Sequence, residues 1–136
     1  MSSLLRVFDV AGSGMLAQSV RLNVTTSNLA NAETVSSSIE QTYRARQPVF
    51  ATLLMGGDEA AAGVRVRAIV ESQAELRKRY EPDHPLADEE GYIHLPNVNV
   101  VEEMANMISA SRSYQNNVEA MNTTKQMLMA TLRLGQ

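Results

Sequence analysis

Apolar residues recur every seven positions near both ends of the chain, at Phe8, Met15, Leu22 and Leu29 and again at Val100, Met107, Tyr114, Met121 and Leu128. A repeat of this kind keeps one face of a helix turned toward a partner helix. A second row, Met104, Ser111, Val118, Lys125 and Leu132, runs beside the C-terminal stripe. The pattern predicts one helix from about Ser3 to Asn31 and another from Val100 to Leu134. At about 1.5 Å per residue they are about 40 Å and about 50 Å long. Asn99 is placed to cap the second helix, with Glu102 and Glu103 in its first turn and Gly135 just past its end. The first helix is weaker: Gly12-Ser13-Gly14 and Thr25-Thr26-Ser27-Asn28 lower its propensity. It is expected to be marginal alone and to become helical mainly when its stripe is buried.

Between the ends the pattern changes. Val64, Val66, Ala68 and Val70 alternate with Arg65, Arg67, Ile69 and Glu71, the best strand signal in the chain. Pro48–Leu54 makes a plausible hairpin partner, with Gly56-Gly57 and residues 60–63 as a flexible tip. From Tyr80 the run is turn-rich, and Pro82, Pro85 and Pro96 bias the preceding residues toward extended geometry. An ordered extended loop is expected there. The overall expectation is a mainly α chain. Its terminal helices pair as an antiparallel coiled coil (residues 1–31 with 98–136), and residues 32–97 form a small middle lobe.

Composition narrows the function classes. Among 136 residues, aromatics are 4% and Trp is absent, so the large anchors common in enzyme pockets are scarce. Eight Met residues partly replace them, five of these in the C-terminal segment. Met suits a helix with several neighbours, and equally serves as ordinary core filler. A net charge of −3 gives no general attraction to nucleic acid, and the absence of Cys removes disulfides and thiolate chemistry. The opening residues lack the pattern of a secretory signal, and no apolar run approaches the roughly 20 residues that span a bilayer.

Candidate chemistry is thin. His84 and His94 flank Asp83, Asp88, Glu89 and Glu90, a superficial metal-ligand set whose spacing fits no rigid pattern. Structural or solvated roles are the expectation. Arg65, Arg67, Arg77, Lys78 and Arg79 form the main basic concentration, followed at once by an acidic run, which favours contact between subunits over nucleic acid. No phosphate loop or catalytic triad motif is present. Asn23, Asn28, Asn31, Asn116, Asn117 and Asn122 lie on or beside the apolar stripes. They either set register by hydrogen bonding between helices or cover exposed polar faces.

Ser27-Asn28-Leu29-Ala30-Asn31-Ala32-Glu33-Thr34 resembles the N-terminal signature of bacterial flagellar rod, hook and hook-associated proteins. Two further segments place the resemblance among the basal-body rod proteins of the proximal rod. One runs from Tyr80-Glu81-Pro82-Asp83-His84-Pro85 through Gly91-Tyr92 to Pro96-Asn97-Val98 and on to Met104; the other covers Met107–Val118. The polar stretch 35–41 departs from the wider family, which runs directly into Gly-Tyr; Tyr43-Arg44-Ala45-Arg46 is its displaced counterpart. The resemblance implies a structural, non-enzymatic subunit with no cofactor, metal or small-molecule substrate. Such a subunit is exported without a cleaved signal, polymerises helically in the periplasmic rod and helps wall the export channel. Its partners would be other rod proteins and the inner-membrane ring and export apparatus. A generic coiled-coil adaptor and a metal-dependent hydrolase using His84 and His94 are the rival readings.

Overall fold

The computed structural model describes residues 2–135, with the side chains of Ser2 and residues 58–60 left out of the description. Two helices, α1 (Ser2–Ala30) and α2 (Val100–Leu134), bracket four strands, β1 (Arg46–Met55), β2 (Asp58–Glu71), β3 (Arg77–Tyr80) and β4 (Tyr92–Leu95). The strands hold half as many residues as the helices, so the expected mainly α chain is met only in part. Asn99 caps α2 in extended conformation, its Oδ1 accepting from Glu102 N at 3.1 Å. Helix α1 carries neither an acid in its first turn nor a base in its last. It lacks the local charge support that α2 has, and must lean on packing.

The two helices pack antiparallel. Asn28 meets Glu103, Arg21 meets Asn106, and Gly14 lies against Asn117. The fully buried residues of the two helices are mostly small or polar: Ala11, Gly14, Ala17, Val24, Thr25 and Asn28 on α1, with Glu103, Ala110 and Thr124 on α2. A Cβ on Gly14 would stand 2.8 Å from Asn117 Nδ2, so any larger residue there must displace the Asn117 side chain. Of the weak Gly12-Ser13-Gly14 patch, Gly14 thus serves packing, while Gly12 has nothing within 4 Å of an added Cβ. Buried Thr124 returns its hydroxyl to Ala120 O at 2.8 Å, satisfying itself within α2.

Strands β1 and β2 form a long antiparallel hairpin, closed by Gly56 and Gly57 at φ 70° and 73°. Two successive positive φ values are what a tight primed turn demands. Residues 60–63, expected as part of a flexible tip, instead belong to β2, because the two glycines suffice to reverse the chain. The hairpin sits on α1: Val64 N donates to Ser13 Oγ (3.1 Å), whose own proton goes to Val10 O (2.7 Å).

The loop expected from Tyr80 to Asn97 is pinned by a second sheet. Arg77–Tyr80 pairs with Tyr92–Leu95, and Ser36 bridges to His94 with two 3.0 Å backbone bonds. In β4, Ile93 and Leu95 turn inward and are buried. Ala32, Ala45 and Val98, with Tyr43 and Val100 packed against them, form the core cluster where α1 ends and α2 begins.

Candidate assembly interface

Asn28 organises the junction between the helices and the lobe. It is 1% exposed, and its amide uses its full hydrogen-bonding capacity. Oδ1 accepts from Tyr43 Oη (2.8 Å) and Arg46 N (2.9 Å), while Nδ2 donates to Arg46 O (2.8 Å) and Glu103 Oε2 (3.1 Å). One side chain therefore ties α1, the approach to β1, and α2. Two further ties surround it. Arg77 donates from Nε to Pro96 O (3.0 Å) and from Nη2 to Ala32 O (2.9 Å). Asn97 accepts from Ala45 N (2.8 Å) and donates to Ala74 O (2.9 Å). Each satisfies backbone groups that no strand partner reaches.

The other signature residues are distributed around this junction. Asn31 Nδ2 donates to Ser27 O (2.8 Å), Thr34 Oγ1 donates to Asn31 O (2.8 Å), Leu29 is half-buried and Ala30 is exposed. Tyr80 and Tyr92 meet edge-on at 5.2 Å. Gly91 is buried, its N–H donating to Asp88 O, while Pro82 and Pro85 are exposed. His84 Nδ1 accepts from Leu86 N at 3.0 Å, within its own turn. His94 Nε2 instead meets Asp88 Oδ2 at 3.2 Å. Among the described residues, no three His, Asp or Glu side chains gather where they could hold a metal ion. Asp88 also accepts from Tyr92 N (2.9 Å) and Glu90 N (3.0 Å). The Tyr92 N–H chiefly holds its carboxyl below the ordinary aspartate value; His94 and the Glu90 N–H add to this against the opposing cost of partial burial.

Most residues of the heptad rows are half-buried within a single copy of the chain. Phe8, Met15, Leu22 and Leu29 are half-buried, as are Val100, Met107, Tyr114, Val118, Met121 and Leu128. Met104 and Leu132 are exposed. The amides divide similarly: Asn28 and Asn117 enter the contact, and Asn23, Asn116 and Asn122 are exposed. Beyond the rows, Val101 (77% exposed), Met104 and Ile108 form an unpartnered stripe at i, i+3 and i+7 on α2. Val101 and Ile108 lie outside the seven-residue rows; their spacing from Met104 was the available signal.

The accessible surface is 9068 Å² for 14.9 kDa, against about 7,000 Å² for a compact monomer of that mass. The excess, with apolar helix faces left open, is the form of a subunit completed by neighbours. No helix among the described residues is long and apolar enough to cross a membrane.

Comparison with known proteins agrees with that class. Residues 8–35 match the family model for flagella basal body rod protein, and residues 89–134 match that for the flagellar basal body rod FlgEFG protein C-terminal. The chain is 54% identical over 134 residues to flagellar basal-body rod protein FlgC of Salmonella typhimurium, covering 98% of this chain and 99% of the relative. It is 53% identical to the FlgC of Yersinia enterocolitica over the same shares. It is 41% identical over 136 residues to that of Buchnera aphidicola subsp. Acyrthosiphon pisum, again covering 98% and 99%. The chain belongs to the flagellar basal-body rod protein family, as a FlgC-like member.

Proposed function

We propose that the chain is a structural subunit of the proximal rod of the bacterial flagellar basal body. The observation that carries this reading is that the two family matches fall on the two chain ends, which pack together while leaving apolar rows open. Those ends, residues 1–31 with 98–136, act as the assembly domain, and residues 32–97 form the lobe; residues 1 and 136 of that division lie outside the described residues. In the rod, the terminal helices complete a coiled-coil seam with neighbouring subunits and line the export channel, so that torque passes along the packed helices. A contact between unlike faces does not close on itself and builds a helical wall.

The subunit reaches the periplasm without a cleaved signal and stays only partly helical until assembly. A seam of Ala, Gly, Thr and Asn supports this, because it buries little apolar area within one chain. Its partners are other rod proteins and the inner-membrane ring and export apparatus. The work is mechanical, with no catalytic step. Imaging of basal bodies carrying a labelled copy is expected to place the label in the proximal rod, and basal bodies assembled without it would overturn the reading.

A further inference from the structure

The free end of α2 and an acidic groove lie at opposite ends of the molecule. Asn28 faces Glu103 and Gly14 faces Asn117. Continuing that step puts Ser2 level with Met129, so about the last turn and a half of α2 has no α1 beside it. From Lys125 to Gly135 every residue but Leu128 is exposed, including Met127, Met129, Leu132 and Leu134. The charged side chains there are Lys125 and Arg133; the nearest preceding acid is Glu119. The end is thus apolar and basic.

The groove has a volume of about 720 Å³ and lies beside β4, near the start of α2. Its rim carries Glu40, Glu75, Glu89 and Glu90, all exposed, and Ile39 and Leu76 supply apolar lining. The cations that share the groove are engaged within the chain. Arg44 Nη1 donates to Ser72 O at 3.2 Å, and Lys78 Nζ lies 4.8 Å from the centre of the Tyr92 ring. The four rim glutamates outnumber these two cations, so the balance of charge around the groove is negative. Opposite charge around apolar contacts fixes register and speeds encounter.

We infer that the exposed end of α2 docks in the acidic groove of a second copy of this chain. The two surfaces are separated by the length of α2, about 50 Å, so one chain cannot satisfy both from within. The contact is head-to-tail and leaves a free end and a free groove at each step, the condition for an open chain of subunits. The inference rests on the rod-subunit reading and goes beyond it by naming the occupant of the groove.

The test uses the full-length chain and two charge-reversed variants, Lys125→Glu/Arg133→Glu and Glu89→Lys/Glu90→Lys, by sedimentation velocity at low and high salt. The wild type is expected to self-associate at low salt and to weaken as salt rises. Each variant alone presents like charges at both ends and is expected to associate at least tenfold more weakly. Mixed in equal amounts they restore opposite charges at every contact, and association is expected to return. The return would also show that both variants are folded. A monomeric wild type, a variant that associates like wild type, or a mixture that stays monomeric would overturn the inference. None of these outcomes bears on the labelling of basal bodies, which tests the rod-subunit reading separately.

Discussion

The helix pair and the lobe junction solve the same problem, joining distant parts of one chain, in opposite ways. At the junction a few side chains carry most of the connections, and Asn28 alone makes four hydrogen bonds. Along the helices the contact is small and polar, while Val101, Met104, Ile108 and Leu16 stay on the outside. A junction that satisfies its own polar groups is complete in one copy. A helix pair that leaves large apolar residues exposed keeps surface for partners. The difference separates residues that hold the subunit together from residues that hold subunits to each other.

The largest effect is expected where the two roles separate most cleanly. Val101→Asp with Ile108→Asp places two charges on the open stripe of α2 and should abolish swimming in a strain that depends on the variant. Thermal unfolding of the purified chain should barely change. A fall in melting temperature as large as that of a core substitution would mean the stripe belongs to the fold.

Asn28→Ala comes next. It strands Arg46 N and O and Glu103 at a buried position, leaving the Tyr43 hydroxyl only its 3.1 Å contact with Ser27 Oγ, so unfolding in urea should show a loss of about 3 kcal/mol. A loss below about 1 kcal/mol would mean that water or a rearranged Tyr43 replaces the amide. The lobe would then not depend on this hub.

A smaller effect distinguishes two neighbouring glycines of α1. Nothing lies within 4 Å of a Cβ added at Gly12, whereas one added at Gly14 meets Asn117. Gly12→Ala should gain up to about 1 kcal/mol from propensity. Gly14→Ala should gain little, because Asn117 must leave its 2.9 Å bond to Ser113 O, which offsets a similar amount. Equal gains in matched melts would show that the helices are not in close contact at this level.

The smallest effect concerns Asp88. Its pKa is lowered in the fold, so its contribution to stability is present above the ordinary aspartate value of about 3.9 and is lost as pH falls through the lower folded value. Acid titration of the wild type beside Asp88→Asn should show the two stability curves converging below about pH 4. Curves that stay parallel would assign the difference to lost hydrogen bonds rather than to charge.

Much of this was legible in the sequence where the signal is local. The Asn99 cap, the span of α2 and the Gly56-Gly57 reversal depend on nearest neighbours along the chain, and the residues there have few alternatives. The second sheet was harder to read. Strands β3 and β4 are four residues each, and only their pairing across an eleven-residue, Pro-bearing loop stabilises them. The role of Asn28 was half visible: an amide on an apolar helix can set register, but nothing local shows that Tyr43, Arg46 and Glu103 converge on it.

By itself the sequence determined that two long helices form at the ends and that a hairpin forms between them, because helical spacing, caps and primed turns are short-range properties. The helix contact was decided only in three dimensions. Which line of α1 faces α2 depends on how near the two backbones can come, and the matching of Gly14 with Asn117 and of Asn28 with Glu103 follows from that approach. Phe8, Met15, Leu22, Met107 and Met121 stay half-buried in the single chain, with part of their surface still open to neighbours.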